Sequence, residues 1–181
     1  MLIPAIAQIM VLPAAGVLAR PENPIQRLTA DSPAAALMTD FRHERASVVA
    51  ATRHVDAALR DMILEGVRAL VVVDDDESVL GLITANDILG PRPVQFLQSP
   101  LCDGNPCRHQ DVHVGDIMTR WADLQLLDFA RLRASTCGDI ATLFAATDAS
   151  HLLVSEADGD APQIVRGLIS RTRLIRQLGS M

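Results

Sequence analysis

The sequence lacks two residue types altogether. It contains no lysine, so that all 16 basic residues are arginines, and it contains no tyrosine. Without lysine the chain can hold neither a Walker phosphate-binding loop, nor a lysine Schiff base, nor the lysine of a protein-kinase site. With only 4 Phe and 1 Trp it also lacks the aromatic residues on which single-stranded nucleic acid stacks. These absences exclude several large classes of protein.

The remaining composition is typical of a folded, acidic domain. The chain has 181 residues, of which 49% are hydrophobic, and a net charge of −6. That length predicts one domain or a tight two-lobed unit. The acidic balance argues against nucleic acid as a partner, because neutralising phosphates needs a basic surface. Three cysteines are too few for a disulfide framework, so we expect a reduced, cytoplasmic protein.

The N-terminal 18 residues carry no charge, which superficially suggests a signal peptide or a membrane span. The first charged residue is Arg20, so the basic start of a signal peptide is missing. Pro4 and Pro13 interrupt the apolar run, which barely reaches spanning length. We therefore expect a packed or partly ordered extension over residues 1–30 and no membrane association.

The strongest signal along the chain is an internal repeat. Met38-Thr39 and Met118-Thr119 are 80 residues apart, and Gly81-Leu82-Ile83-Thr84 is matched by Gly167-Leu168-Ile169-Ser170 after 86 residues. Each copy shows the same order of apolar patterns. The division that follows is an extension over 1–30, a first repeat over 31–90, a connector over 91–113 and a second repeat over 114–181.

Each copy reads as strand, helix, strand, strand and helix. In the first copy the predicted elements are a strand at 47–49, a helix with the apolar stripe Val55, Leu59, Met62 and Ile63 ending at Gly66, strands at 69–73 and 79–83, and a helix beginning at Thr84. In the second copy they are a helix with Ile140, Leu143 and Phe144, strands at 152–154 and 164–169, and a helix at 171–178. One such unit is too small to be securely stable alone. We therefore predict an α+β fold in which two β-α-β-β-α repeats pack sheet to sheet as a pseudo-twofold module.

The stretch from Arg68 to Leu89, RALVVVDDDESVLGLITANDIL, resembles the CBS domain, which is named after cystathionine β-synthase. It has the buried strand, the acidic turn and the Gly-hydrophobic-hydrophobic-Thr-x-x-Asp pattern of that family, and a Met-Thr pair precedes each copy. The tandem pair, over roughly residues 30–179, resembles a Bateman module. The resemblance implies a cleft between the repeats that binds an adenosyl ligand such as AMP, ADP, ATP or S-adenosylmethionine.

Thr84 and Asp87 are the candidate nucleotide-binding residues. A helix start offers free N–H donors to a phosphate, the Thr84 hydroxyl can donate to a phosphate oxygen, and the Asp87 carboxylate can accept from ribose hydroxyls. The alternative is that both residues only cap the helix, which is ordinary chemistry for this spacing. The sequence leaves both interpretations open.

The second copy departs from this pattern. Ser170 keeps the hydroxyl, but Arg173 stands where Asp87 stands in the first copy, and an arginine cannot accept from a ribose. Ser170 and Arg173 are therefore weaker candidates, and we expect one nucleotide per chain on the Thr84 and Asp87 side. The arginines of the last stretch are predicted to lie on a solvated helix face and strand end. They are Arg166, Arg171, Arg173 and Arg176.

The connector contains four residues of metal-ligating type, Cys102, Cys107, His109 and His113. Their spacing fits no common zinc module, so we expect no metal. Cys137 is predicted to be a small buried residue, His151 a satisfied core or edge histidine, and Asp74 to Glu77 a solvated hairpin turn.

No catalytic motif occurs, and the sequence predicts a protein that is not an enzyme and requires no cofactor. The expected function is a stand-alone regulatory module that binds an adenosyl ligand and signals to an unidentified protein. The alternative is a structural or protein-interaction module with empty clefts. We expect a homodimer, since closed twofold pairs are the commonest assemblies.

Overall fold

Short β-branched runs and one-sided apolar helices fold here into two sheets covered by helices. The computed structural model describes residues 28–100, 108–157 and 163–179. The uncharged segment 1–18 and the connector residues Cys102 and Cys107 lie outside these ranges, so the predictions made for them are not tested. Within the described residues, no helix combines the length and the apolar character needed to cross a membrane.

The strands of the described residues form two four-stranded sheets. They are β1 (Thr39–Asp40), β2 (Val48–Ala50), β3 (Ala69–Val73), β4 (Val79–Thr84), β5 (Thr119–Arg120), β6 (Leu126–Asp128), β7 (His151–Glu156) and β8 (Ile164–Ser170). The first sheet has the order β2-β3-β4-β5 and the second the order β1-β8-β7-β6. The pairs β2–β3 and β6–β7 are parallel, and the other pairs are antiparallel.

Helices lie on the outer face of each sheet and in the connector. They are α1 (Val55–Glu65), α2 (Ala85–Leu89), α3 (Arg92–Leu97), α4 (Val114–Ile117), α5 (Phe129–Ala134), α6 (Cys137–Ala145) and α7 (Arg171–Leu178). Helix α1 ends at Gly66, whose φ of 69° is left-handed, as the sequence predicted. Helix α7 has the predicted bounds.

The two sheets pack against each other through a shared apolar layer. Ala69 and Val71 of β3, Leu82 of β4 and Leu153 of β7 are buried in one cluster. Each sheet also packs against its own helices through one further apolar cluster. The predicted α+β fold with two repeats packed sheet to sheet is therefore confirmed.

Each repeat contributes a short strand to the sheet of the other repeat. Strand β1 lies near the start of the first repeat but pairs with β8, and β5 lies near the start of the second repeat but pairs with β4. A Cβ atom at Gly81 would collide with the carbonyl oxygen of Thr119, and one at Gly167 would collide with that of Thr39. Glycine therefore occurs in both copies of the motif because the exchanged strand lies directly against it.

Two of the arginines predicted to be solvated are packed against protein instead. The Arg166 side chain is only 9% exposed, and its guanidinium donates to both carboxylate oxygens of Asp40 at 2.8 Å and to Glu156 at 3.1 Å. These hydrogen bonds, with one from the backbone N–H of Arg42, hold the pKa of the Asp40 carboxyl well below its ordinary value. The guanidinium of Arg171 donates to the backbone carbonyls of Phe144, Thr147 and Ala149.

One position of the predicted helix stripe is also wrong. Val55, Ala58 and Met62 bury the inner face of α1, whereas Ile63 is 71% exposed and Leu64 is 83% exposed. Only a narrow stripe of α1 is buried against the sheet, so that Ile63, the residue after Met62, points away from the sheet. An apolar strip is left uncovered on this side of the molecule.

Candidate functional site

Two equivalent positions, related by the repeat, lie where the last helix of each repeat begins beside a short strand of the other repeat, and they are called the first and the second cleft. At the first cleft, Arg92 joins Asp87 at the start of α2 to Thr119 in β5, and Thr84 caps the same helix. The second cleft contains the equivalent Ser170 and Arg173 at the start of α7, with Thr39 in β1. Both clefts thus contain a hydroxyl-bearing residue at a helix start, a polar residue three positions later and a short strand from the other repeat.

The second cleft holds an open cavity of about 530 Å³. Its walls come from both repeats, because Ser47, Arg68 and Ala69 of the first repeat face Ser170 and Arg173 of the second. Four arginines line it and one carboxylate does: Arg45, Arg68, Arg173, Arg176 and Glu44. The chain as a whole is acidic, so this basic lining marks the cavity out as a place where an anion is favoured.

The polar groups at the bottom of the second cleft are partly paired already. The Arg173 guanidinium donates to the Thr39 hydroxyl at 2.9 Å, and the Arg173 backbone N–H donates to the Ser170 hydroxyl at 3.4 Å. Ser170 is the N-terminal cap of α7, so the first N–H groups of that helix point in the same direction. A hydroxyl, a guanidinium and a helix start together can bind a phosphate group.

In the first cleft, Thr84 and Asp87 form a capping box. The Asp87 Oδ2 atom accepts from the backbone N–H of Thr84 at 2.8 Å and from its hydroxyl at 2.7 Å, and the Asp87 N–H donates to the Thr84 hydroxyl at 3.2 Å. Thr84 is buried, with 8% of its surface exposed. The capping interpretation of these residues is confirmed, and nucleotide contact stays a prediction.

The remaining oxygen of Asp87 contacts an arginine that the sequence did not single out. Arg92, the first residue of α3, places its Nη1 atom 3.1 Å from Asp87 Oδ1. The same atom donates to the Ile117 carbonyl at 2.8 Å and to the Thr119 hydroxyl at 3.0 Å. Arg92 follows Gly90-Pro91 in the connector, where no periodic pattern indicates which way a side chain points.

An identical capping box occurs away from both clefts. Thr136 and Asp139 at the start of α6 make the same three hydrogen bonds, at 2.8, 2.9 and 3.2 Å. They lower the pKa of the Asp139 carboxyl. The Thr-x-x-Asp spacing alone therefore marks a helix start, and only the place of Thr84 and Asp87 in a cleft distinguishes them.

His151 stands at the first position of β7 and lines the second cleft. Its Nδ1 atom lies 2.9 Å from the Ser150 hydroxyl, which confirms a satisfied edge histidine. Burial lowers its pKa to about 4, an effect that Asp87 opposes and Arg68 reinforces. The imidazole is therefore neutral at pH 7, and it brings no cation to the cavity.

The other candidate residues named from the sequence lie outside the cavity of the second cleft. Cys137 is buried in the core behind the second sheet, as predicted, and its pKa is raised by burial. Asp74 lies in the β3–β4 turn, where its carboxylate accepts from the N–H groups of Asp76 and Ser78. His109 lies 3.5 Å from Asp56, and His113 stacks on His54. Within the described ranges no group of three or more metal-ligating residues comes together.

Comparison with known proteins agrees with this architecture. Residues 34–90 match the family model of the CBS domain. Among solved structures, CBSX2 in complex with AMP is 24% identical, with a TM-score of 0.56 over 80% of this chain and 94% of that chain. CBSX2 of Arabidopsis thaliana, also 24% identical, has a TM-score of 0.52 over 80% of this chain and 92% of that chain.

A third structure is an uncharacterised conserved protein from Pyrococcus horikoshii. It is 23% identical, with a TM-score of 0.54 over 82% of this chain and 93% of that chain. No curated protein matches the sequence significantly. The first repeat thus matches the CBS-domain family in sequence, and the two repeats together have the fold of a CBS-domain pair.

Proposed function

We propose that this chain is a regulatory module that binds an adenine nucleotide in the second cleft and passes the signal to another protein. The observation that carries the proposal is the 530 Å³ cavity, which four arginines line and which both repeats build. A ligand that bridges the repeats favours one arrangement of them, and this is how binding can be read by a partner. The residues proposed to bind the nucleotide are Ser170 and Arg173, with Arg68 on the opposite wall of the cavity.

The chemistry of the lining selects among adenosyl ligands. Four guanidinium groups against one carboxylate favour the phosphates of AMP, ADP or ATP. The same charges oppose S-adenosylmethionine, which carries a sulfonium cation. The structurally similar CBSX2 was solved in complex with AMP, which supports AMP as the first compound to test.

The first cleft is the weaker candidate for nucleotide binding. Thr84 and Asp87 supply a hydroxyl and a carboxylate suited to a ribose, but Asp87 is engaged with Thr84 and Arg92. A nucleotide at this site has to compete with those contacts. We therefore place the stronger binding in the second cleft.

Calorimetric titration with AMP, ADP, ATP and S-adenosylmethionine tests the proposal. We expect binding of the three phosphates, and a loss of about tenfold or more in affinity for Arg173→Gln, since a charge-assisted hydrogen bond is worth about 1.5 to 3 kcal/mol. Arg133→Gln, which alters an exposed arginine of α5 outside the cavity, is the matched control. If no adenosyl compound binds at millimolar concentration, the chain is an interaction module with empty clefts.

The proposal includes a homodimer and excludes catalysis. Ile63 and Leu64 on α1 and Leu89 on α2 are exposed on neighbouring helices, where a second copy can cover them. Light scattering is expected to show a mass above the 19.5 kDa of one chain. We also propose a cytoplasmic location, in line with the low cysteine content, and no turnover of bound nucleotide. Nucleotide hydrolysis by the purified chain would contradict the regulatory assignment.

A further inference from the structure

Arg92 stands between two residues of the first cleft whose equivalents border the open cavity of the second cleft. Its guanidinium joins Asp87 to Thr119, with distances of 3.1 and 3.0 Å. In the second cleft the equivalents of these two residues, Arg173 and Thr39, touch each other directly at 2.9 Å and line the cavity. By the pseudo-twofold relation of the repeats, Asp87 and Thr119 are the residues that a ligand of the first cleft would contact, and the Arg92 guanidinium lies between them.

The contacts of Arg92 use the acceptors that such a ligand needs. A ribose hydroxyl must donate to an oxygen, and Asp87 is the carboxylate that the first cleft offers at the helix start. Its Oδ2 atom already accepts two hydrogen bonds from Thr84, and its Oδ1 atom faces Arg92. A nucleotide therefore has to compete with the arginine for Oδ1.

Arg92 is able to leave without disturbing the core. Its side chain is 41% exposed, and it belongs to the short helix α3 of the connector. The Asp87 side chain that it covers is only 14% exposed. The contact thus joins a partly exposed side chain at the surface to a largely buried one.

We propose that Arg92 is a built-in competitor for the first cleft, which leaves one nucleotide site per chain and makes the two clefts unequal. This inference rests on the proposed function, since it takes an adenine nucleotide as the ligand of both clefts. Removing the guanidinium is expected to free Asp87 and Thr119 and to open a second site. Arg92 is a positioning residue here, because it acts on Asp87.

Equilibrium dialysis with radiolabelled AMP, up to millimolar concentration, measures the number of sites directly. The full chain is compared with Arg92→Gln, with Arg92→Met and with Arg60→Gln, which changes an exposed arginine of α1. We expect one AMP per unaltered chain and per Arg60→Gln chain. We expect one additional AMP per chain in both Arg92 variants.

The two proposals fail in different measurements. The number bound by the unaltered chain judges the proposed function, and the difference between the Arg92 variants and the unaltered chain judges the role of Arg92. No additional AMP in either variant overturns that role, as do two equal sites in the unaltered chain. Loss of folding in both variants overturns it too, because a ligand cannot displace a contact on which folding depends.

Discussion

Arg166 of β8 and Asp40 of β1 form a two-pronged ion pair, with two N–O distances of 2.8 Å, across the boundary between the repeats. Asp40 belongs to the first repeat, yet its partner belongs to the last strand of the second. The guanidinium also lies 4.5 Å from the centre of the Phe129 ring and contacts Glu156. The pair therefore anchors the exchanged strand β1, which forms a two-residue ladder with β8 and is followed by one hydrogen bond from the Phe41 N–H to the Arg166 carbonyl.

Replacing Asp40 with asparagine is expected to lower the melting temperature by about 5 °C or more, because it leaves the enclosed Arg166 guanidinium without its main partner. Differential scanning calorimetry measures the change. Asp61→Asn is the matched control, since Asp61 pairs with Arg53 at a similar distance but on the surface, where an ion pair contributes little. Equal losses for the two variants would show that the pair at Asp40 has no special role.

Gly81→Ala and Gly167→Ala are each expected to destabilise the protein by about 1 to 3 kcal/mol, which is typical of an overpacked site. The added methyl group would collide with the carbonyl oxygen of Thr119 in one case and of Thr39 in the other. Urea unfolding measures the loss. Gly66→Ala separates this clash from backbone strain, since Gly66 has a left-handed φ but no atom within 4 Å of the added Cβ. Unchanged midpoints at both strand positions would refute the close approach of the exchanged strands.

The stability of the protein is expected to fall as the pH falls from 6.5 to 4, in part because of His151. Burial lowers the pKa of this imidazole from 6.5 to about 4, so that in this window the unfolded chain binds a proton that the folded chain does not. Such a group contributes stability above pH 6.5 and loses it as the pH falls. His151→Gln is therefore expected to lose less stability than the unaltered chain between pH 6.5 and 4.5, by urea unfolding.

The control for this pH dependence is His43→Gln, because the side chain of His43 is 80% exposed. We expect that variant to follow the unaltered chain. A steep loss that persists in full after His151→Gln would mean that carboxylates alone cause the acid sensitivity.

The sequence was sufficient to predict the repeated elements and their packing. The strand Ala69–Val73 could be predicted because a short apolar run rich in valine is typical of a buried strand. The end of helix α1 could be predicted because Gly66 readily takes the left-handed conformation found there. The exchange of β1 and β5 was not predicted, since a two-residue strand has no periodicity of its own. The glycines at positions 81 and 167 reflect this exchange, because the partner strand lies directly against them. That reason for glycine can be recognised only when the partner strand is known.

The site was harder to predict than the fold. Thr84, Asp87, Ser170 and Arg173 all stand in the clefts, but the sequence could not show that Asp87 is engaged while Arg173 borders a cavity. That difference depends on Arg92, which reaches Asp87 from the connector. It also depends on Arg68, which the first repeat contributes to the second cleft. Contacts of this kind join distant parts of the chain through long side chains, and no local pattern encodes them.

The capping boxes of Thr84 and Thr136 provide the last prediction. Thr84→Ala and Thr136→Ala are each expected to cost about 1 kcal/mol in unfolding free energy, because each removes the hydroxyl that accepts from the third N–H of its helix. The loss at Thr84 is expected to be the larger, since Thr84 is buried and Thr136 is not. Thr84→Ser keeps the cap and should restore most of it, as Ser170 caps α7 in the second copy.

Nucleotide binding distinguishes these two threonines more sharply than stability does. In the Arg92→Gln chain, Thr84→Ala is expected to abolish the additional AMP, because Thr84 stands in the first cleft and holds Asp87 in place. Thr136→Ala is expected to leave that AMP bound, because its capping box lies outside both clefts although its geometry is the same. Equilibrium dialysis at a temperature where both variants are folded makes the comparison. Loss of the additional AMP in both variants would assign the effect to stability, and retention in both would leave Thr84 with the capping role alone.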